Sequence, residues 1–382
     1  MKLLHLIFFF LFWGTATISA QDEYLVEEFK EHDAKVNTLA FSKTGKYLAS
    51  GGEDKLLEIR NLKEQDKDIT HSDNYFPAKD MEFYGDLQLF VSSGRDIKLV
   101  DLQNNQLALY QGSATHIWSL DFAPERNKLT AGSYDKTLRV WDVQSEEVEF
   151  ELEGHTKSAL AIAFSKDEKY VVSASRDLSV KIWSAKTGEL LNSIEQRHSD
   201  NIFDIEFHPH TKYFATASAD KTIRLWNVEK GTVIKTYAGH EKTVVDIEFS
   251  PDGYFMYSAS VDGVVYVWEV ASGKKLHSFV KHEGGVNAIA VSDDGHFVAT
   301  AGEDGLVYLW RSAKGIVVDL NYAEKLAAEK RNNEAFEPKR KGESRDEYKA
   351  RVHTSRFVES QMIEKLYEQY IDASGLKQLP VE

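Results

Sequence analysis

The residue types of a hydrolytic triad occur together several times along this chain. His155, Ser173 and Asp177 could in principle perform acyl transfer, in which a histidine accepts the proton of a serine hydroxyl and an aspartate orients the histidine. The same types, with serine or threonine as the hydroxyl, return at the same spacing further along the chain. Because an enzyme needs only one such set, the recurrence favours a structural role, and we predict no catalytic residue.

Two other candidate chemistries have less support. His208 and His210 are potential metal ligands, but no third ligand lies near them in the sequence, and His208 occupies the position that Ser250 holds in the next repeat. The many carboxylates could pair for acid–base work, but no spacing brings a particular pair together as glycoside hydrolysis requires. We therefore predict neither a metal site nor a cofactor.

Composition narrows the class of protein further. The chain has 382 residues, of which 42% are hydrophobic and 28% are charged, as in ordinary soluble globular proteins. The absence of cysteine excludes disulfides, zinc–thiolate sites and thiol nucleophiles. The formal net charge of −15 argues against nucleic-acid binding, because neutralising phosphates needs a basic face.

An internal repeat determines where the candidate residues lie. Five tryptophans are spaced by 42, 43, 42 and 42 residues: Trp141, Trp183, Trp226, Trp268 and Trp310. Each follows an aspartate by six residues, and 22 residues before that aspartate stands a histidine or, in the first of these units, a serine. Four units carry the complete set of histidine, hydroxyl, aspartate and tryptophan: His155, Ser173, Asp177 and Trp183; His198, Thr216, Asp220 and Trp226; His240, Ser258, Asp262 and Trp268; His282, Thr300, Asp304 and Trp310. Two weaker copies upstream, with Arg60 and Val100 in the tryptophan position, bring the number of units to seven.

Each unit is predicted to form three strands followed by a fourth, more variable one. Apolar and polar residues alternate at period two, for example over Ala159–Phe164, Tyr170–Ala174 and Ser179–Trp183. A single unit cannot bury both faces of its sheet, so neighbouring units must stack to form a core. The histidine, hydroxyl, aspartate and tryptophan of each unit are spaced to converge on one buried hydrogen-bond network.

This pattern resembles the WD-repeat (WD40) β-propeller family over about residues 23–315. The fixed period, the spacing of histidine, aspartate and tryptophan, and the segment Phe249-Ser-Pro-Asp-Gly253 carry the resemblance. It implies an all-β fold, a seven-bladed WD40 β-propeller whose four-stranded blades surround a central channel. Residues 23–29 are similar to the outer strands of other units, and we expect them to complete the last blade and so remove an exposed edge.

Residues 316–382 differ from the repeats, because they contain nearly equal numbers of acidic and basic residues. Ser344 and Glu347 form a capping box, and Val358, Met362 and Leu366 give an apolar stripe at helical spacing. These features predict a C-terminal α-helical extension. It could pack on the side or underside of the propeller, bind a partner in a dimer or membrane-associated assembly, or remain a free tail.

Residues 1–20 have the layout of a secretory signal peptide. Lys2 precedes the apolar stretch Leu3–Trp13, and small residues lead to Ala20, just before an acidic segment. The predicted domains are therefore a signal peptide at 1–20 cleaved after Ala20, the propeller at 21–315 and the tail at 316–382. The lack of cysteine and of Asn-x-Ser/Thr sites favours export to a bacterial periplasm or cell envelope, with no membrane span after cleavage.

The WD40 resemblance implies interaction rather than catalysis, and it predicts a non-enzymatic scaffold that binds a protein or peptide on the top face of the propeller. The resemblance implies that three residues of each unit lie at the upper rim of the channel. These are the third and the fifth residue after the histidine position and the residue before the turn aspartate. On units three to five, these rim positions hold aromatic residues, an arginine and polar neighbours: His116, Trp118, Tyr134, Arg176, Asn201 and Phe203. Aromatic residues and arginine are enriched at binding hot spots. Glu53 and Glu303 are expected opposite them. Two alternatives remain: a ligand or catalytic site in the central channel, and a packing role for Trp118 and Phe203.

Overall fold

The computed structural model describes residues 24–30, 32–63, 69–71, 76–103, 105–331, 333–337, 340, 343–374, 376 and 379. The predicted signal peptide and its cleavage after Ala20 lie outside these residues and stay predictions.

Within the described residues, 28 strands form seven antiparallel four-stranded sheets. The first three blades contain β2 (Val36–Phe41), β3 (Tyr47–Gly52), β4 (Leu57–Asn61) and β5 (Ile69–His71); β6 (Met81–Tyr84), β7 (Gln88–Ser93), β8 (Asp96–Asp101) and β9 (Gln106–Tyr110); β10 (Ile117–Ala123), β11 (Lys128–Ser133), β12 (Leu138–Asp142) and β13 (Val148–Leu152). Blades 4 and 5 contain β14 (Ala159–Phe164), β15 (Tyr170–Ser175), β16 (Val180–Ser184) and β17 (Leu190–Ile194); β18 (Ile202–Phe207), β19 (Tyr213–Ser218), β20 (Thr222–Asn227) and β21 (Thr232–Ala238). Blade 6 contains β22 (Val244–Phe249), β23 (Phe255–Ser260), β24 (Val264–Glu269) and β25 (Lys275–Val280). The predicted seven-bladed all-β architecture is confirmed.

Blade 7 closes the ring by joining the two ends of the repeat region. It contains β26 (Val286–Val291), β27 (Phe297–Gly302), β28 (Leu306–Arg311) and, as its outer strand, β1 (Leu25–Lys30). β1 runs antiparallel to β28, and the pairs run from Leu25 with Trp310 to Lys30 with Leu306. The pairing confirms the expected closure, and it covers an edge of β28 that would otherwise be open to another chain.

The core lies between blades rather than within them. Trp226 of blade 5 packs in one cluster with Val172 and Ile182 of blade 4, and Trp183 of blade 4 packs with Leu138 and Val140 of blade 3. The indoles of Trp183 and Trp226 are almost completely buried. Because each blade supplies one half of two interfaces, the blades depend on one another for burial.

Two helices follow the propeller, α1 (Ala313–Arg331) and α2 (Arg345–Ser374). Ser344 and Glu347 make both hydrogen bonds of the predicted capping box at the start of α2: each backbone N–H donates to the other side chain, at 2.8 and 3.1 Å. The sequence analysis located only the helix that follows Ser344 and did not locate α1, which is separated from β28 by the single residue Ser312. Its first residues lie inside the predicted propeller segment 21–315. Neither described helix is long and apolar enough to cross a membrane.

The helices pack against the underside of blades 6 and 7. Leu366 and Tyr367 of α2 share a buried cluster with Ile316 of α1 and Phe255 of blade 6. The Tyr367 hydroxyl donates to Asp252 at 2.9 Å, in the turn between β22 and β23. Of the three possibilities left open for the tail, the structure therefore has the packed one.

Candidate functional site

The recurrent residues form a closed network at the top edge of each complete blade. In blade 4, His155 Nδ1 lies 3.1 Å from Asp177, His155 Nε2 lies 2.8 Å from the Ser173 hydroxyl, and the Trp183 indole donates to that hydroxyl at 2.9 Å. Because an ionised carboxylate only accepts, Nδ1–H donates to Asp177 and the serine O–H donates to Nε2. This is the hydrogen-bond order of a hydrolytic triad, but Ser173 is completely buried and is bonded to Trp183 as well.

The same arrangement is present in three further blades and, without its tryptophan, in blade 1. The imidazole-to-aspartate and imidazole-to-hydroxyl distances lie between 2.7 and 3.0 Å at His198, Asp220 and Thr216; His240, Asp262 and Ser258; His282, Asp304 and Thr300; and His32, Asp54 and Ser50. The indoles of Trp226, Trp268 and Trp310 donate to the respective hydroxyls at 2.8–2.9 Å. A set of bonds built five times into one ring holds turns in place, which is a structural task.

Where a unit departs from the pattern, another side chain replaces the missing group. In blade 3 Ser113 stands in the histidine position, and Arg139 reaches Asp135 at 3.0 Å instead of an imidazole. In blade 1 Arg60 stands in the tryptophan position, with its guanidinium 3.9 Å from the centre of the Phe29 ring. Both arginines place a cation where the other blades have a ring, so the first three blades are the least regular.

Hydrogen bonds keep the turn aspartates ionised. Burial by itself would raise the pKa of Asp177, but hydrogen bonds from His155, Ser179 and the Thr156 backbone hold it well below its ordinary value. The pKa of Asp220 is lowered in the same way by His198 and Thr222. Burial lowers the pKa of His198 despite the nearby Asp220, so the neutral imidazole is the stable form.

The two histidines considered as metal ligands have a different role. His208 is fully buried, its Nε2 donates to the Gly253 carbonyl at 2.9 Å, and its Nδ1 accepts from the His210 backbone at 3.2 Å. Burial lowers the pKa of His208 to about 4. Both ring nitrogens are therefore occupied: Nε2 joins blade 5 to blade 6, and Nδ1 holds the turn within blade 5. Among the described residues no three side chains of His, Asp or Glu are grouped as metal ligands.

The central channel is lined by carboxylates that the sequence did not bring together. In four blades (2, 3, 5 and 6) a carboxylate on the inner side accepts a backbone N–H of the next blade: Asp80 from Leu120 at 2.8 Å and Asp204 from Ile247 at 2.9 Å. Asp121 and Asp246 do the same towards blades 4 and 7. The alternation Asp-Ile-Glu at 204–206 and again at 246–248 is the signal that could have revealed this, since both carboxylates of each pair lie on one face of a strand.

The channel carboxylates are harder to ionise than ordinary ones. Burial raises the pKa of Asp80 and of Asp121 to about 7, although backbone N–H groups act in the opposite direction. Burial, followed by the charge of Asp204, raises the pKa of Asp246 well above its ordinary value. Lys166 lies 3.1 Å from Glu206 and faces this acidic cluster, and the Glu206 carboxylate raises the lysine pKa.

Three of the predicted top-face residues form one cluster. The rings of Trp118 and Tyr134 are 5.3 Å apart, and the Arg176 guanidinium lies 5.2 Å from the centre of the Tyr134 ring. Lys79 lies over Trp118 at 5.5 Å, and His116 meets the edge of Phe76 at 6.0 Å. Trp118 and Tyr134 are half-buried, whereas Phe76, His116 and Arg176 are exposed. We call these six residues the aromatic arc: Phe76, Lys79, His116, Trp118, Tyr134 and Arg176.

The sequence missed two members of the arc, Phe76 and Lys79. Lys79 holds in blade 2 the place of Trp118 in blade 3, but that place is counted from the histidine position, and Lys79 stands eight residues after His71 rather than five. Glu53 forms an ion pair with Lys79 at the blade 2 border of the arc, and the expectation that Glu53 lies opposite the residues of blades 3 to 5 stays a prediction. Lys79 and the other polar neighbours of Glu53 outweigh its burial and lower the pKa of its carboxyl.

Asn201 and Phe203 of blade 5 stand apart from the arc. Both are half-buried, and among the described residues no ring contact or hydrogen bond joins them to the six arc residues. In blade 4, which lies between blades 3 and 5, the position of Trp118 and Phe203 is held by Leu160, and this residue is completely buried. The predicted six-residue surface is therefore not one continuous cluster, and its blade 5 portion remains a separate prediction.

The fold and its repeated networks define the class: the chain is a seven-bladed β-propeller that carries WD40 repeats. A family model described as "WD domain, G-beta repeat" matches residues 23–61 and 273–311, which include both strands of the ring closure. A second model, described as "Echinoderm microtubule-associated protein second beta-propeller", matches residues 117–284.

Several curated proteins are similar to parts of the chain. "Pre-mRNA-processing factor 19" of Bos taurus is 31% identical over 96 residues, which cover 25% of this chain and 19% of that protein. "THO complex subunit 3" of Arabidopsis thaliana is 33% identical over 91 residues, 22% of this chain and 29% of that protein. "WD repeat-containing protein SL1-17" of Schistosoma mansoni is 27% identical over 168 residues, 43% of this chain and 55% of that protein. The chain thus spans about a fifth to about half of these relatives, and because all three are eukaryotic they give no support to a bacterial envelope.

Proposed function

We propose that the chain is a non-enzymatic scaffold that binds a protein partner on the top face of the propeller through the aromatic arc. The observation that carries the proposal is the cluster of Trp118, Tyr134 and Arg176, which stays accessible, whereas the five tryptophans of the repeat pattern are buried. Tryptophan, tyrosine and arginine provide large contact areas at low entropic cost and are enriched at binding hot spots.

The relatives support a binding role by their names, since one is a complex subunit and another a processing factor. Catalysis by the triad-like sets is disfavoured because their hydroxyls are buried and accept an indole N–H. A channel site is disfavoured because the channel carboxylates already bond the backbone of the neighbouring blade.

The test compares the same repeat position in two blades. Trp118→Ala should weaken capture of a protein partner from extract by about 2 kcal/mol or more, and Tyr134→Ala should act similarly. Val245→Ala, at the position of Trp118 in blade 6, should leave capture unchanged. Thermal melts should differ little between Trp118→Ala and the unsubstituted protein.

A contrary result would be early melting of Trp118→Ala and Tyr134→Ala while the folded fraction still captures its partner normally. The two rings would then serve packing of the channel rim. Turnover of a small substrate by purified protein, without any captured partner, would favour the channel alternative instead.

We also propose that the protein is exported, on the basis of Lys2, the apolar stretch that follows it and the small residues that end at Ala20. Amino-terminal sequencing of the protein from its native cells should find Gln21 as the first residue. An intact amino terminus beginning at Met1 or Lys2 would contradict export with cleavage.

A further inference from the structure

Charge is distributed unevenly over the top face. Exposed cations follow the aromatic arc from blade 2 to blade 5, at Arg95, Lys136, Lys157, Arg176 and Lys221, and Asp200 of blade 5 is an exposed acid among them. The loops of blades 6 and 7 instead expose Glu241, Glu283 and Glu303, together with Lys242. In a chain whose net charge is −15, this half of one face is a local exception.

The cations beside the arc are also uncompensated. Among the described residues no ion pair joins Arg95, Lys136, Lys157, Arg176 or Lys221 to a carboxylate, whereas Lys79 is paired with Glu53 and Arg139 with Asp135. Exposed cations that have no carboxylate partner among the described residues can pair with a ligand without breaking one of the ion pairs described above. Complementary charge of this kind steers encounter and fixes register.

The contact with the Tyr134 ring also affects how Arg176 can bind a ligand. A guanidinium held against an aromatic ring keeps its planar set of donors free at the edges, and those donors match a carboxylate in a bidentate manner. The adjacent Trp118 ring offers an apolar surface next to that polar one. Together, Trp118 and Arg176 suit a ligand in which an apolar side chain lies beside an acidic one.

We infer, building on the proposed function, that the partner contacts the arc with an acidic peptide segment. An apolar or aromatic side chain of the segment covers Trp118 and Tyr134, and acidic side chains on its flanks pair with Arg176 and Lys157 and with the cations of the neighbouring blades. A nucleic acid fits less well, because the acidic residues Glu53, Glu241, Glu283 and Glu303 share the face and would repel its phosphates.

The experiment selects random peptides displayed on phage against the full chain and measures the enriched sequence as a synthetic peptide by fluorescence anisotropy. We expect enriched peptides with an excess of Asp and Glu around an apolar residue. Binding should weaken by about tenfold in Arg176→Glu, and it should weaken as salt is raised, because exposed charge pairs are screened.

Two lysines at the same repeat position supply the matched control. Lys157 and Lys242 each stand two residues after the histidine of their blade, and both are exposed. Lys157→Glu should weaken the acidic peptide several-fold, whereas Lys242→Glu on the far side should change its affinity by less than about twofold. Equal effects of the two reversals would show only a response to net charge and would overturn the inference.

Three other outcomes would overturn it as well. These are enriched peptides without acidic excess, no enrichment over an uncoated surface, and tighter binding of a single-stranded oligonucleotide than of the acidic peptide with the same dependence on Arg176. The proposed function is judged separately. If capture of a protein partner depends on Trp118 but persists in Arg176→Glu, the inference of an acidic segment is wrong and the proposed scaffold function still stands.

Discussion

Two sets of carboxylates in this propeller are withdrawn from bulk water, and they behave in opposite ways. The turn aspartates, such as Asp177, each accept several hydrogen bonds from imidazole, hydroxyl and backbone groups, and their pKa values are lowered. The channel carboxylates, such as Asp121 and Asp246, have fewer donors and face one another, and their pKa values are raised. Burial alone therefore does not determine the charge of a carboxylate in this fold, because the number of donors decides it.

The difference separates a part of the molecule that resists pH change from a part that responds to it. The turn aspartates Asp177 and Asp220 remain ionised near neutral pH, because their pKa values are lowered. The lowered pKa of His198 favours its neutral imidazole. The channel, in contrast, gains negative charge just where Asp80 and Asp121 titrate, at about pH 7.

The largest expected effect comes from breaking a turn network. Asp177→Ala should lower the free energy of unfolding by ~3–5 kcal/mol, because it leaves His155 and the Thr156 backbone without their acceptor in a buried turn. Trp183→Ala should cost a similar ~3–5 kcal/mol through lost packing between blades 3 and 4. Urea unfolding of both variants measures this. Normal stability with a lost enzymatic activity would instead identify Asp177 as catalytic.

A second prediction concerns how the free energy of unfolding depends on pH, since both sets of carboxylates contribute to it. The turn aspartates have lowered pKa values in the fold, so the stability that they contribute is present above the unfolded value of about 4 and is lost as the pH falls. The pKa values of Asp80, Asp121 and Asp204 are raised to about 7, 7 and 6. The stability that these carboxyls contribute is complete below the unfolded pKa and is lost as the pH rises through the raised values.

Stability should therefore be highest at mildly acidic pH and decline on both sides. Urea unfolding over a pH series gives the profile directly. A free energy of unfolding that continues to rise from pH 6 to about pH 9 would contradict the account of the channel. The groups that face one another there are Asp80, Glu82, Asp121, Lys166, Asp204, Glu206, Asp246 and Glu248.

The smallest expected effect compares one isosteric substitution in the two regions. Asp121→Asn keeps an oxygen that can accept the Phe164 backbone N–H and removes a charge from the cluster, so at pH 8 it should stabilise slightly, by about 1 kcal/mol or less. Asp177→Asn should destabilise by about 1.5–3 kcal/mol at the same pH, because a bond to an ionised group is lost. Effects of opposite sign at pH 8, with the Asp121 effect vanishing near pH 5, would support the comparison, whereas destabilisation by both substitutions would refute it.

The repeat made most of the fold predictable, because its signals are local and recur. The fourth unit shows this: β14 has the predicted bounds, β15 ends one residue later than predicted, and β16 is shifted by one residue at both ends. The closing strand β1 was also predictable, since it resembles the other outer strands. What the sequence could not supply was arrangement across blades, such as the convergence of Asp80, Asp121 and Asp204 on one channel.

The candidate surface was predictable only where the repeat is regular. Trp118, Tyr134 and Arg176 were located by counting from His and Asp positions, whereas Lys79 and Phe76 lie in a unit whose spacing is altered. Helix α1 was missed because its segment, from Ala313, has neither a capping box nor a clear apolar stripe. Its burial depends on α2, which follows it in the chain, and a tertiary dependence of that kind leaves little local signal.

The pairing of β1 with β28 has a consequence for the order of folding. A ribosome releases β1 first, but the strand that it pairs with emerges only when the whole ring has been made. Contacts between distant parts of a chain form slowly, because a long loop must close before they bring any gain. Throughout synthesis the ring of Phe29 can therefore contact blade 1 but lacks its partners in blade 7, and a chain that stops before Leu306 cannot complete its burial. Ring closure thus acts as a completeness signal, by which chaperones and proteases could tell finished molecules from interrupted ones.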